Sequence, residues 1–325
     1  MTDSKLLSIS GLRVEFPTED GPLFAVNDVN LDIARGEILG IVGESGSGKT
    51  VLGLSSMGLT DRPGKVTAGR IVFDGKDVTN YSESQWRSIR GNRIAMIFQD
   101  PTTSLNPVQR VGAQMTEALQ SHRDISVEAA QQIIRDAMVR VGINSPDDRL
   151  KAYPHQFSGG MRQRVVIAIA LLNEPDLIIA DEPTTALDVT IQAQILRDMQ
   201  RLSRDTHTAL IWVSHDLGVV AQIAHRVAVM YAGRIVEQGP TRQILKSPSH
   251  PYTQGLIASM PANVWPGERL RAIPGALPQL SRLPVGCSFA PRCAYTSSAC
   301  EVMPDFVKAS DEHFVRCVSP LAGSD

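Results

Sequence analysis

The hydrophobic pattern alternates between two kinds of segment from Leu7 to about Gly239. Short apolar, β-branched runs are followed by longer helical patterns, and the runs are EILGIVG, RIAMIFQ, DLIIAD, ALIWVSH and RVAVMYAG. Helices are predicted from about Gly48, after the first run, and from about Thr190, after the third. Strands that alternate with helices indicate a parallel sheet with helices on its faces, which is the α/β class.

The segment that precedes the first of these runs has a period of two. SISGLRVEF (8–16) and AVNDVNLDI (25–33) alternate apolar and polar residues. That alternation is typical of antiparallel strands with one solvated face. An antiparallel β subdomain is therefore predicted beside the parallel sheet.

The middle of the chain, from about Arg110 to Tyr153, contains no strand pattern. Helical spacing is found instead in VEAAQQIIRDAMVRVG, on the residues Ala129, Ile133, Ala137 and Val141. Apolar residues at this spacing predict an amphipathic helix. We therefore predict a helical subdomain at about residues 104–172, inserted into a first domain that spans residues 1–240.

The region after Gly239 is predicted to be a separate C-terminal extension, residues 241–325. Prolines are too dense there for a long regular element, and they include Pro240, Pro248, Pro251, Pro261, Pro266, Pro274, Pro278, Pro284 and Pro291. The extension also holds every cysteine of the chain, all within its last 39 residues: Cys287, Cys293, Cys300 and Cys317. Such clustering indicates that the four thiols share one role.

Charge and hydropathy indicate where the protein is located and which classes of partner it lacks. The net charge is -2 and no sustained Lys/Arg run occurs, which argues against a dedicated nucleic-acid surface. The longest apolar run, residues 165–172, is far shorter than the ~20 residues that a membrane-spanning helix needs. The N-terminal MTDSKLLSIS has no apolar core of a secretory signal. We expect a cytoplasmic protein.

Residues 43–50, GESGSGKT, match the pattern G-x-x-x-x-G-K-[ST] between a predicted strand and a predicted helix. The glycines let backbone N–H groups point at phosphates without Cβ clashes, the lysine reaches the terminal phosphates, and the threonine can ligate Mg²⁺. The residues predicted to bind nucleotide here are Gly43, Ser45, Gly46, Gly48, Lys49 and Thr50.

A pair of carboxylates follows a second apolar strand, residues 177–180. Asp181 is expected to hold Mg²⁺, directly or through water. Glu182 is expected to point in a different direction, because side chains alternate along a strand, and to orient and polarise the attacking water.

Further motifs follow in a fixed order: IFQD (97–100), FSGGMRQR (157–164), DEPTTALD (181–188) and VSHD (213–216). Together with residues 43–50 they resemble the ATP-binding subunit of an ABC transporter over the whole chain. The resemblance implies an ATPase in which Gln99 touches Mg²⁺ or the water and senses the membrane subunits. It also implies that His215 contacts the γ-phosphate of ATP.

The same resemblance implies that each chain carries two half-sites. Ser158, Gly159 and Gly160 resemble the signature motif that closes on ATP held by the opposite subunit, and Asp188 lies in the loop that crosses to that subunit. Hydroxyl, bare backbone and a following helix N-terminus suit such a contact.

The signature motif differs from the common family pattern at two residues, and two aromatic residues are candidates for stacking on adenine. Phe157 and Met161 stand where the common signature has Leu and Gln, but the Ser and Gly chemistry is intact. An aromatic residue before the phosphate-binding loop is expected to stack on adenine. Phe16 is the predicted residue, and Phe24 is the alternative.

The C-terminal extension narrows the resemblance further. SPSHPYTQGLIASMP (247–261) and the cysteine group resemble the dipeptide/oligopeptide importer ATPases, the D-type subunit in particular. This implies short peptides as the solute, an extracytoplasmic binding protein, two permease subunits and a second, similar ATPase subunit. DPTTSLNPVQRVG (100–112) lies where the family contacts its permease. Alternatives are import of another solute, such as nickel or glutathione, and a soluble ABC-type ATPase that acts on nucleic acid.

The cysteines have the spacing C-x5-C-x6-C-x16-C. Structural zinc sites favour about two to four residues between paired cysteines, so this spacing fits zinc poorly. The family resemblance implies a [4Fe–4S] cluster held by four thiolates. Zinc, four reduced thiols and two disulfides are the alternatives, and a cytosolic location argues against disulfides.

Overall fold

The computed structural model describes residues 5–19, 21–185, 187–260 and 272–321. The chain divides into two compact units. The first unit contains Met1–Ala34, Ile38–Asn80 and Trp212–Asp325, and the second contains Arg35–Glu37 and Tyr81–Ile211. Pro261 and Pro266 of the proline-rich segment lie outside the described residues.

The strands, in chain order, are β1 Lys5–Thr18, β2 Gly21–Ala34, β3 Ile38–Val42, β4 Lys65–Phe73, β5 Lys76–Asp77, β6 Ile94–Ile97, β7 Leu177–Asp181, β8 Ala209–Ser214, β9 Arg226–Tyr231, β10 Arg234–Pro240, β11 Val307–Ser310 and β12 His313–Val315. The α-helices are α1 Lys49–Ser55, α2 Glu83–Ile89, α3 Pro101–Ser104, α4 Val111–Gln120, α5 Val127–Arg140, α6 Pro146–Leu150, α7 Gly159–Leu171, α8 Val189–Thr206, α9 Leu217–Ile223, α10 Thr241–Lys246 and α11 Pro251–Ala258. Short 3₁₀ helices lie at Pro154–Gln156, Leu280–Arg282, Ala290–Arg292 and Ser298–Glu301.

An antiparallel sheet in the first unit has the order β2-β1-β4-β5. β1 and β2 pair in antiparallel register, with Leu7 opposite Ile33 and Ile9 opposite Leu31. These four side chains are buried. The period of two therefore predicted both the strands and the face that packs inward.

Parallel pairing is present in both units. In the first unit β3 pairs with β9, with Ile41 opposite Ala228. In the second unit β6 pairs with β7, with Ala95 opposite Ile178. Every residue of β3 and β7 is buried, as expected for parallel strands covered on both faces. The predicted α/β class is confirmed.

The second unit has helices and no strand between β6 and β7, a stretch that the structure describes throughout. α5 buries Ala130, Ile134, Ala137 and Met138, whereas Ala129 is exposed. The predicted apolar face was thus one residue out of register over the first two turns. The observed stripe follows the fuller i, i+4, i+7, i+8 pattern, which buries more apolar surface.

No helix in the described ranges is long and apolar enough to cross a membrane. The longest helix, α8, has 18 residues. Its exposed face carries charged side chains, including Arg201 and Asp205, so it is amphipathic.

The region after β10 forms only short elements in its described part, the longest being α11 with 8 residues. One of these elements was not predicted: β12 pairs with β10, with Val315 opposite Glu237. The buried Glu237 carboxylate accepts hydrogen bonds from the backbone N–H groups of Ser249 and His250, at 2.6 and 3.0 Å. It also lies 2.7 Å from Nε2 of the buried His313. The extension is therefore anchored to β10 by a buried polar network.

Candidate nucleotide site

We call residues 43–50 the phosphate loop. It follows the fully buried β3 and leads into α1. A Cβ atom on Gly43 would lie 2.1 Å from the carbonyl oxygen of Met230, and one on Gly48 would lie 2.1 Å from that of Ala25. Gly48 also has a φ of +102°. Only glycine fits at these two positions, because the loop backbone lies directly against β9 and β2.

The loop presents a cation and several hydroxyl groups. Lys49 is 5 % exposed, and its Nζ donates to the carbonyl oxygens of Gly43 and Glu44 at 2.8 and 3.0 Å. Ser45 and Thr50 are exposed. Ser47 is buried, and its Oγ has no hydrogen-bond partner within the described ranges. A cation and exposed hydroxyl groups on a tight, glycine-rich loop fit a polyphosphate. Sequence reasoning did not select Ser47, although it lies inside the motif.

His215 directly follows β8, in the first unit. Its side chain is exposed. The next residue, Asp216, caps α9 by accepting the N–H groups of Gly218 and Val219 at 2.7 and 3.3 Å. The junction between strand and helix is therefore held by this cap, and it places the imidazole at the surface.

Phe16 and Phe24 lie on β1 and β2, and both are half-buried. The Arg13 guanidinium lies over the Phe24 ring, 5.3 Å from its centroid. The Phe16 ring lies against Gly64, where a Cβ atom would be 2.6 Å from the ring. Stacking of Phe16 on adenine stays a prediction.

A carboxylate group lies in the second unit, at the end of β7. Asp181 is 3 % exposed, and Glu182 is half-buried. The Glu182 Oε2 atom accepts hydrogen bonds from Gln99 Nε2 at 3.4 Å and from Thr185 Oγ1 at 2.9 Å. The structure therefore brings Gln99 and Glu182 together.

The direction of Glu182 has a different cause from the one expected. β7 ends at Asp181, and Glu182 has a φ of +44° rather than an extended backbone. A left-handed conformation costs a non-glycine residue about 1–2 kcal/mol, and such strain concentrates at functional sites. The turn, and not strand alternation, separates the directions of the two carboxylates.

The predicted signature residues begin α7. Ser158 is its N-cap, with Oγ accepting the N–H of Met161 at 3.3 Å. Gly159 is exposed with open space around it, whereas Gly160 packs on Ile191. Phe157 is only 3 % exposed. The replacement of the common Leu by Phe157 therefore changes a buried side chain. Ser158, Gly159 and Gly160 are the same residues as in the common signature.

Asp188 is the N-cap of α8. Its Oδ1 accepts the N–H groups of Thr190 and Ile191 at 3.1 and 2.9 Å. These bonds satisfy two helix N–H groups that have no partner inside the helix. Asp188 thus orders the start of α8, and its contact with a second subunit stays a prediction.

The iron–sulfur prediction is wrong. All four cysteines are free thiols, and they line one cavity of about 10 Å³, which is the size of a single water molecule. Among the residues that the structure describes, no group of three or more His, Cys, Asp or Glu side chains is arranged to hold a metal ion. Burial raises the pKa of Cys287, Cys293 and Cys317.

The sequence matches two protein-family profiles. Residues 26–185 match "ABC transporter", and residues 236–300 match "Oligopeptide/dipeptide transporter, C-terminal region". The dipeptide transport ATP-binding protein DppD of Bacillus subtilis (strain 168) is 51 % identical over 96 % of this chain and 94 % of its own length. The oligopeptide transport ATP-binding protein OppD of the same organism is 50 % identical over 96 % of this chain and 88 % of its own.

A solved structure with the same fold is the dimeric post-hydrolysis state of the ATP-binding cassette MJ0796 bound to ADP and Pi. It has a TM-score of 0.65 and 25 % identity, and the match covers 73 % of this chain and 99 % of that chain. This chain belongs to the ABC transporter ATP-binding family, in the branch with the oligopeptide/dipeptide C-terminal region. It is an ABC-type ATPase.

Proposed function

We propose that this chain is the ATP-hydrolysing subunit of an importer that powers the uptake of di- and oligopeptides across the cytoplasmic membrane. The observation that carries the proposal is the C-terminal match at residues 236–300, together with 51 % identity to a dipeptide transport protein along nearly the whole chain. The proposed domain organisation is an ATPase domain of residues 1–240, with a helical subdomain at about residues 104–172, followed by the extension of residues 241–325.

The phosphate loop binds the polyphosphate of ATP in this proposal. Backbone N–H groups of residues 43–50 surround the phosphates, with Ser45 among them, and Lys49 balances the charge of the terminal phosphates. Thr50 and Asp181 are the residues that would hold Mg²⁺, with Gln99 beside it. When bound there, Mg²⁺ would supply positive charge against the negative charge that develops during transfer.

Glu182 acts as the general base. It accepts a proton from water as the water oxygen bonds to the γ-phosphorus and the bond to the ADP oxygen breaks. Gln99 supports this role, because it already hydrogen bonds to the Glu182 carboxylate. His215 donates a hydrogen bond to the γ-phosphate.

Assembly with other subunits completes the mechanism. Ser158, Gly159 and Gly160 close on ATP held by a second, similar ATPase subunit, and Asp188 lies at that interface. The dimeric state of the MJ0796 cassette supports this arrangement. Closure of the pair by ATP and its reopening after hydrolysis supply the work of transport, because ATP favours the closed state.

Residues 100–112 dock on two membrane-spanning permease subunits, which receive peptides from an extracytoplasmic binding protein. The 82 % exposure of Val108 supports a docking role for this segment, because an apolar side chain on an exposed loop is suited to a protein contact. The chain is then peripheral, at the cytoplasmic face of the membrane.

Replacement of the proposed base tests the chemistry. Glu182→Gln keeps the size and the hydrogen bonds but cannot accept the proton, so hydrolysis is expected to fall by at least about 100-fold while MgATP binding is retained. Glu128→Gln, on the exposed face of α5, is the matched control. Normal turnover by Glu182→Gln would remove Glu182 from this role.

Uptake in cells tests the solute and the partners. Cells that lack this chain are expected to lose uptake of a labelled dipeptide, and the wild-type chain but not Glu182→Gln is expected to restore it. Restoration of nickel or glutathione uptake alone would reassign the solute. Isolation of the tagged chain from membranes is expected to recover permease subunits. Recovery with nucleic acid and without permease would favour a nucleic-acid ATPase.

A further inference from the structure

The C-terminal extension contacts the phosphate loop through Arg292. The guanidinium makes two hydrogen bonds to the Glu44 carboxylate, from Nη1 to Oε2 at 2.8 Å and from Nη2 to Oε1 at 3.0 Å. Its Nε donates to the carbonyl oxygen of Pro274 at 2.7 Å. The Arg292 side chain is 7 % exposed, and that of Glu44 is 27 % exposed. A bidentate, largely buried pair of this kind is the strong form of an Arg–carboxylate contact.

Two further residues of the extension touch the same loop. The Tyr252 hydroxyl accepts the backbone N–H of Glu44 at 2.9 Å. Leu277 lies over Gly46, where a Cβ atom would be 3.5 Å from its Cδ2. The rings of Tyr231 and Phe289 lie beneath the Arg292 guanidinium, 5.8 and 5.9 Å from it. Arg292 is therefore held in place on several sides.

The negative charge of Glu44 is balanced by the positive charge of Arg292. A carboxylate in a loop that binds phosphates repels them, and the repulsion is stronger where the site is partly shielded from water. Hydrogen bonding to Glu44 raises the pKa of Arg292 above its already high ordinary value. The guanidinium is thus always charged, and it balances the negative charge of the Glu44 carboxylate within the phosphate loop.

We propose that Arg292 is a positioning residue for ATP binding, which neutralises Glu44 and holds it so that the phosphate loop accepts MgATP. The inference rests on the phosphate loop as the ATP site proposed above. It gives the extension a role in setting the affinity of the ATPase for its nucleotide, exerted from a residue 248 positions away in sequence.

The test is MgATP binding to the full chain by titration calorimetry. Arg292→Gln leaves the Glu44 carboxylate unbalanced, so the Kd for MgATP is expected to rise about tenfold. The loss for MgADP is expected to be smaller, since ADP carries less charge. The KM for ATP is expected to rise while kcat at saturating ATP is retained. The double variant Glu44→Gln/Arg292→Gln is expected to recover the wild-type Kd to within about threefold, because the repelling charge is gone.

Controls separate this inference from the proposed site. Arg282→Gln removes an exposed arginine of the extension and is expected to leave the Kd unchanged. Lys49→Ala is expected to abolish binding, and tight binding by that variant would overturn the ATP site itself. If Lys49→Ala loses MgATP binding as expected while Arg292→Gln keeps the wild-type Kd, the ATP site stands and only the role of Arg292 is overturned. A weakened Arg292→Gln that the double variant does not rescue would overturn charge neutralisation.

Thermal denaturation shows whether Arg292→Gln folds. If it does not, Arg292→Lys and Glu44→Gln provide the same test. Arg292→Lys keeps the charge but loses the bidentate geometry, so it is expected to weaken MgATP binding by less than the about tenfold expected for Arg292→Gln. Glu44→Gln removes the carboxylate and is expected to bind at least as tightly as wild type. Weaker binding by Glu44→Gln would overturn the proposal.

Discussion

The phosphate loop and the segment that carries the four cysteines, residues 287–317, are both rich in ligand-binding groups, yet they are built differently. The loop follows a fully buried strand, and its glycines lie against the backbone of β2 and β9. The cysteine segment consists of 3₁₀ turns and two short strands around a cavity of about 10 Å³. Ligand groups on consecutive backbone positions keep their arrangement, whereas groups drawn from separate turns depend on how those turns pack.

The largest expected difference between the two regions is in activity. Lys49→Ala removes the cation of the loop, so ATP hydrolysis is expected to fall by about 100-fold or more. Cys293→Ser, in the half-buried thiol group, is expected to keep hydrolysis within about twofold. Steady-state phosphate release at one MgATP concentration, chosen to saturate the wild type, measures both. Comparable losses in the two variants would mean that the cysteine segment serves the reaction as directly as the loop.

Packing of the loop can be measured through Gly48. The Cβ atom of Gly48→Ala would lie 2.1 Å from the Ala25 carbonyl oxygen at a φ of +102°, so the free energy of unfolding is expected to fall by about 2–4 kcal/mol. Gly159→Ala is the control, because nothing lies within 4 Å of its Cβ. Chemical denaturation measures both variants. Equal free energies of unfolding for the two variants would show that the loop backbone can move to accept a Cβ atom at Gly48. The loop would then not be held more tightly by its packing than the cysteine segment.

The smallest expected effect concerns the anchor of the extension. Burial lowers the pKa of His250 to about 4 from a usual value near 6.5, against the opposing charge of Glu237. Because the pKa of His250 is lower in the folded chain than in the unfolded chain, the unfolded chain binds the proton at a higher pH than the folded chain does. Stability is therefore full above about pH 6.5 and falls as the pH drops toward 4, by up to about 3 kcal/mol.

Denaturant melts between pH 7 and 4 measure this slope. The matched variant is His250→Asn, because His250 caps α11 by accepting the N–H of Tyr252 and Asn keeps such an acceptor without titrating there. Its slope is expected to be shallower by the contribution of His250. An unchanged slope in His250→Asn would show that groups other than His250 govern the acid response.

Much of the fold was predictable from local patterns. The period of two predicted β1 and β2, and the apolar runs predicted the strands that pair in parallel. The helix expected from about Thr190 begins at Val189, because Asp188 caps it. The apolar face of α5 was predicted one residue out of register, since two overlapping stripes fit the same sequence and only packing selects between them.

The sequence by itself determined the phosphate loop, because its glycines, Lys49 and Thr50 lie on eight consecutive residues between a strand and a helix. Local backbone geometry is enough to arrange them. Tertiary structure alone decided the left-handed turn at Glu182, the pairing of β12 with β10, the small cavity among the cysteines and the contact of Arg292 with Glu44. These features depend on packing between segments far apart in the chain, and no local pattern of residues records which segments will meet.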